Sequence, residues 1–162
     1  MQKITIAIDG FSSCGKSTLA RALAQKLGYK YVDTGAMYRA VTWYALENGL
    51  IDEAYNINTE ELLRALPELD IRFVLNTSTH HSDICLNSEN IEREIRTMRV
   101  SDAVSKVSAI KEVRKTMVAI QRKMGRKKGV VLDNSDITKE EQLDYVLKLI
   151  SDLQLIPKEE HS

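Results

Sequence analysis

Nine residues, Gly10-Phe11-Ser12-Ser13-Cys14-Gly15-Lys16-Ser17-Thr18, restrict what this chain can fold into more than any other stretch. They read G-x-x-x-x-G-K-[ST], the phosphate-binding loop, and the flanking sequence supplies the context that the motif requires. Ile4, Ile6, Ala7 and Ile8 form a short apolar run, which predicts a strand buried on both faces of a parallel sheet. After the loop, Leu19, Ala20, Leu23, Ala24 and Leu27 recur at helical spacing, and Gly28 is placed to stop the helix. Strand, glycine loop and helix in this order aim backbone N–H groups at one point. First-turn N–H groups have no partner within the helix, and the helix dipole is positive there, so the point attracts phosphate. Gly10 to Thr18 are therefore the expected site for a nucleotide's phosphates. Within it Lys16 reaches the β- and γ-phosphates and Ser17 holds Mg²⁺ through its hydroxyl.

At 162 residues the chain predicts one domain, residues 1–162, with room for a small insertion. Lys plus Arg (23) equals Asp plus Glu (23), so no global charge recruits nucleic acid or an acidic membrane. Arg122, Lys123, Arg126, Lys127 and Lys128 form one basic cluster, but no aromatic residues are interleaved to stack bases, and a solvated helix end is expected. No apolar run approaches the ~20 residues of a spanning helix, and residues 1–10 read as a strand, not a signal peptide. Two cysteines, one inside the phosphate loop, suggest no disulfide framework and fit a reducing cytoplasm.

From Tyr29 the chain enters Tyr31-Val32-Asp33-Thr34-Gly35, a short strand ending in a polar turn. A helix follows, with Met37, Tyr38, Val41, Tyr44 and Ala45 at helical spacing and an end near Gly49. In doubly wound folds ligands bind at the carboxyl edge of the strands, which puts Asp33 and Thr34 beside the phosphate loop. Arg39, one turn into the helix, is placed to grip a second anionic group. Two strings, Ile8-Asp9-Gly10…Gly15-Lys16-Ser17-Thr18 and Asp33-Thr34-Gly35-Ala36-Met37-Tyr38-Arg39, together resemble the bacterial cytidylate kinases, the CMP- and dCMP-phosphorylating branch of the nucleoside monophosphate kinases.

Residues 50–97 read as an insertion on the nucleotide-binding core. Thr59 is the expected cap of a short helix carrying Leu62, Leu63 and Leu66, with Pro67 after it. Ile71, Phe73 and Leu75 alternate with Arg72, Val74 and Asn76 as a half-buried strand. The polar run to Asp83 then turns the chain into Ile84-Cys85-Leu86, an antiparallel hairpin, with His80 and His81 as exposed turn residues. The stretch resembles the small CMP-binding subdomain of the family, down to Asp70-Ile71-Arg72-Phe73-Val74 and Glu94-Ile95-Arg96-Thr97. Two helices follow, near 97–108 and 111–127, striped by Val100, Val104 and Val107 and by Val113, Met117, Ile120 and Met124. The resemblance implies that Ser105 and Arg114 contact the cytosine, whose edge requires both donors and acceptors.

Gly129-Val130-Val131-Leu132-Asp133 reads as a buried strand ending in a carboxylate suited to holding Mg²⁺ or its water shell. Here the sequence departs from the family, whose strand runs into Asp-Gly-Arg-Asp-x-Gly-Thr. This one runs into Asp133-Asn134-Ser135-Asp136-Ile137-Thr138, without the arginine and the glycines, although Asp136 keeps the spacing of the second, cytosine-facing aspartate. Thr138 and Glu141 form a capping box, and Leu143, Val146, Leu147 and Ile150 stripe a last helix that resembles the family's C-terminal end. The family's section between these two parts, which carries the arginine-bearing lid, is not in the sequence.

The expected fold is a P-loop α/β fold of the nucleoside monophosphate kinase kind. It has a parallel sheet of three core strands flanked by helices and a small hairpin-bearing substrate subdomain. The resemblance implies transfer of the ATP γ-phosphoryl group to CMP or dCMP. Lys16, Arg39 and Asp133 would serve catalysis, Asp33, Thr34, Arg39, Ser105, Arg114 and Asp136 the acceptor, and Ser17 and Asp133 the metal. A nucleotide-binding protein with little turnover is the alternative that the missing arginine section suggests. The expected partners are small nucleotides, with no nucleic acid or membrane; a monomer is expected, prone to self-association if a sheet edge is bare.

Overall fold

The computed structural model describes residues 2–9 and 15–134. Gly10 to Cys14, Asp136, the capping box at Thr138 and the last predicted helix lie outside the described residues.

Three parallel strands, β1 (Thr5–Asp9), β2 (Lys30–Asp33) and β6 (Val130–Asn134), form a sheet in the order β1-β6-β2. The last strand therefore inserts between the first two, with Ile8 opposite Asp133 on one side and Asp33 opposite Asp133 on the other. Every residue of β6 is buried, as its continuous apolar run predicts. β1 departs from expectation. It is an edge strand among the described residues and, unlike the other edge strand β2, is not packed by the second sheet, so only Thr5 is buried; Ile6, Ala7 and Ile8 are half-buried and Ile4 is exposed.

Side chains alternate across the sheet. Val32, Val130 and Leu132 face the main core, while Tyr31 and Val131 face the opposite side, where α1 (Lys16–Leu27) covers them with Ala20 and Ala24. Gly15 enters α1 at φ +74° and Gly28 leaves it at φ +65°, both in the left-handed region that glycine occupies without steric cost. Gly28 is the stop that the sequence pattern places there.

The other face carries α2 (Thr34–Glu47), α4 (Met98–Ser108) and α5 (Lys111–Arg126). Asp33 caps α2 through Oδ1, which accepts from the Ala36 N–H at 3.3 Å, and Met37, Tyr38, Val41 and Ala45 are buried. The short helix α3 (Thr59–Ala65) is capped by Asn58, whose side chain accepts from the Glu61 N–H; the expected cap, Thr59, is instead its first helical residue.

A second, antiparallel sheet is built from β3 (Ile71–Asn76), β4 (His81–Leu86) and β5 (Glu89–Asn90), and it packs against β2 and α2. Ile71, Phe73, Ile84 and Leu86 join the core shared with α2, α4 and α5. Leu75, expected inside, is 55% exposed, because the hairpin has run past the core by that point. His80 and His81 are both exposed, as expected, but only His80 lies in the turn; His81 opens β4 opposite Asn76. No helix among the described residues is long and apolar enough to cross a membrane.

Candidate active site

Asp133 is the centre of the site. It stands near the C-terminal end of the central strand and is almost fully buried, so its charge must be met by the protein. Lys16, from the first turn of α1 and itself buried, forms an ion pair with Oδ1. Tyr31, from the neighbouring strand, donates its hydroxyl to Oδ2 at 2.6 Å. The register explains the reach: Tyr31 lies opposite Val131, two residues short of Asp133 on the same face, and a phenol is long enough to span that diagonal. The Ser17 hydroxyl is a third donor. Burial works against ionisation of Asp133, but the hydrogen bonds from Lys16, Tyr31 and Ser17 outweigh it and hold its pKa below the usual carboxylate value. Tyr31 moves the other way. Burial, the hydrogen bond to Asp133 and the negative charges of Asp33 and Asp133 push its phenol well above the ordinary value, with Arg21, 5.3 Å over the ring, opposing them.

Lys16, Ser17 and Asp133, chosen from the sequence for phosphate and metal, are thus brought together. In this state Lys16 is turned onto Asp133. The Asp133 carboxylate and the Ser17 hydroxyl are adjacent hard oxygens, the donor type that Mg²⁺ takes when phosphate and water complete its shell. The residues fit that ion. Gly15, Lys16, Ser17 and Thr18 open α1 as the loop motif requires; Thr18 is exposed.

On the other side of β6, Thr34 is fully buried and its hydroxyl donates to the Asp133 carbonyl at 3.0 Å, tying the start of α2 to the end of the central strand. Asp33, besides capping α2, lies 3.6 Å from the Arg96 guanidinium. Arg39 is half-buried, and its Nη1 donates to the Ile95 carbonyl at 3.3 Å and to Ser101 Oγ at 3.0 Å. Ser105 is exposed on α4, and Arg114 is half-buried near the start of α5. A cleft of about 310 Å³ opens beside Asp33, bounded by Arg21, Tyr31, Phe73, His81 and Arg96. Arg39, Ser105 and Arg114 do not line it.

Tyr31 and Ser101 escaped the sequence reading. An aromatic residue in an apolar strand reads as core, and one serine on a helix carries no signal by itself. In the sequence Asn134 stands out only as a departure from the family's glycine. It is fully buried at the end of β6, and neither polar atom of its carboxamide has a hydrogen-bond partner among the described residues.

A parallel sheet whose first strand leads in sequence into the glycine motif, a helix opening on lysine and serine, and a buried carboxylate near the end of the adjacent strand define a P-loop phosphate-binding protein. The comparisons narrow the class. A family model described as cytidylate kinase matches residues 6–149. The chain is 52% identical over 137 residues to a cytidylate kinase of Flavobacterium psychrophilum, covering 85% of this chain and 60% of that protein. Cytidylate kinases of Bacteroides thetaiotaomicron and Cytophaga hutchinsonii are 54% and 52% identical over the same length, with 59% and 57% of each covered. The chain belongs to the cytidylate kinase family. It spans about 60% of the length of the curated relatives it matches.

Proposed function

We propose that this chain transfers the γ-phosphoryl group of ATP to CMP or dCMP, giving ADP and CDP or dCDP. The observation that carries the reading is the meeting of Lys16, Ser17 and Asp133 at the carboxyl edge of the central strand, with Arg39 held half-buried on α2, the helix that follows the adjacent strand. Family membership supports it.

In this reading a triphosphate arriving at the loop competes with Asp133 for Lys16. The lysine moves from Oδ1 to the β- and γ-phosphates, where its charge follows the transferred group. Asp133 stays ionised because Tyr31 and Ser17 continue to donate to it. Asp133 and Ser17 would hold Mg²⁺, which supplies charge neutralisation at the phosphate oxygens. Arg39 grips the acceptor's phosphate, and Ser105 and Arg114 read the cytosine edge, which carries acceptors and an amine. An acceptor phosphate oxygen attacks the γ-phosphorus in line; its bond to the bridging oxygen of ADP breaks as the new P–O bond forms. Residues 50–97 serve the acceptor side. A reducing cytoplasm fits the free, half-buried Cys85.

The test is ADP release measured with CMP, dCMP, UMP, AMP and no acceptor. Release that depends on CMP or dCMP is expected. Equal release with every acceptor, or with none, overturns the assignment.

A further inference from the structure

Arg39 is where the proposed reaction puts the acceptor's phosphate, and its guanidinium has a fixed seat. Nη1 donates to the Ile95 carbonyl at 3.3 Å and to Ser101 Oγ at 3.0 Å, across 56 and 62 residues of sequence. Both acceptors are neutral, and Arg39 forms no ion pair among the described residues. Its charge is thus held in place without being cancelled. A carboxylate in the same position would compete with phosphate for it. The two bonds use one nitrogen, so Nε and Nη2 have no partner among the described residues, and that edge suits two parallel bonds to a phosphate.

Ser101 and Ser105 are four residues apart on α4, so they share a helix face about one turn, ~6 Å, apart along the axis. The hydrogen bond from Arg39 to Ser101 therefore fixes Arg39 relative to Ser105. In a nucleoside monophosphate the phosphate and the polar edge of the base lie at opposite ends of one ligand, and α4 spans the two residues assigned to those ends. We propose that Ser101 is a positioning residue for the acceptor nucleotide: by seating Arg39 on α4 it sets the separation at which phosphate and base are read. This inference rests on the proposed function.

The experiment is calorimetric titration of the full chain with CMP and, separately, with Mg·ATP. Wild type, Ser101→Ala, Ser101→Thr, Arg39→Ala and the Ser101→Ala/Arg39→Ala double variant are compared, with a melting temperature for each. Ser101→Ala is expected to bind CMP about five- to tenfold more weakly, less than the full weight of a hydrogen bond to a charged group because the bond acts on CMP only through Arg39. Mg·ATP affinity should be unchanged, and Ser101→Thr, which keeps the hydroxyl, should restore CMP binding. In the Arg39→Ala background the serine substitution should add nothing, because the two residues act as one unit. CMP affinity unchanged in Ser101→Ala while Arg39→Ala loses it overturns this inference alone. So does an equal loss for CMP and ATP with a lowered melting temperature, which is a structural role. Unchanged CMP binding in Arg39→Ala removes the acceptor role of Arg39, and the role of Ser101 with it. A wild-type chain that binds Mg·ATP but no CMP overturns the proposed acceptor.

Discussion

Tyr31 and Lys16 divide one carboxylate between them: the phenol donates to Oδ2 of Asp133 at 2.6 Å while the ammonium is paired with Oδ1. All three side chains are buried, so each depends on the others for its charge or its hydrogen bond. The arrangement gives Lys16 two competing uses, as counter-ion to Asp133 and as cation for a phosphate.

Removing the lysine should therefore cost stability as well as nucleotide binding. Lys16→Met leaves Asp133 buried without its cation, which typically costs about 3 kcal/mol. Adding Asp133→Asn removes the stranded charge and should recover at least half of that loss. Urea unfolding of the single and double variants checks both. A double variant no more stable than Lys16→Met would mean that the pair is not the source of the loss.

The same cluster sets two limits on pH. The pKa of Asp133 is held below its ordinary value, so the stability it contributes is present above the unfolded carboxylate pKa of 3.8 and is lost as pH falls through the lower folded value. Tyr31 has the opposite sign. Its pKa is raised, so its contribution is intact below the ordinary 10.0 and is lost as pH rises beyond it. Tyr31→Phe should flatten the decline in melting temperature between pH 9 and 11 relative to wild type. Parallel declines in the two proteins would contradict the buried hydrogen bond.

Gln121 is a different case. It is fully buried on α5, and neither atom of its carboxamide has a hydrogen-bond partner among the described residues. An unsatisfied buried amide carries a desolvation cost with nothing to offset it. Gln121→Leu keeps similar volume and removes the polar atoms, so it should stabilise the fold by roughly 1–2 kcal/mol. A loss of stability in urea would show that the amide is satisfied in solution.

Acceptor choice tests Arg114. If it reads the cytosine edge, Arg114→Ala should weaken CMP binding about ten- to a hundredfold, the cost of a charge-assisted hydrogen bond, and leave ATP binding nearly unchanged. Equal losses for both nucleotides by calorimetry would assign Arg114 to structure.

What the sequence disclosed, and what it hid, follows the range of the interactions. The strand and helix that flank the phosphate-loop motif are legible because they are adjacent in the chain, and Gly28 terminates α1 as its position requires. Asp133 is legible because a buried apolar run ends in a carboxylate. Tyr31 is not, because its role appears only when β6 inserts beside β2 and the register brings it diagonal to Asp133. Ser101 meets Arg39 across 62 residues, and no local pattern records that. The exposure of β1 depends on what lies beyond its outer edge, which the composition of Ile4 to Ile8 does not encode. Asn58 and Thr59 are adjacent residues that both cap well, and the backbone decides between them.

Asp133→Asn separates the two uses of Lys16. The substitution is nearly isosteric, and the amide still accepts from Tyr31, but it no longer holds a cation by charge. Two effects of opposite sign follow. Without Mg²⁺, a triphosphate no longer has to draw Lys16 out of a buried ion pair, so ATP should bind more tightly than to wild type, about fivefold for a cost of ~1 kcal/mol relieved. With Mg²⁺, the carboxylate proposed to hold the ion is gone, so the metal should add little to ATP affinity, whereas in wild type it should add at least tenfold. Titrating ATP with and without Mg²⁺ against both proteins reads the two effects in one experiment. Weaker metal-free binding in the variant would mean that the ion pair prepares Lys16 for phosphate instead of withholding it. An undiminished gain from Mg²⁺ would remove Asp133 from the metal site.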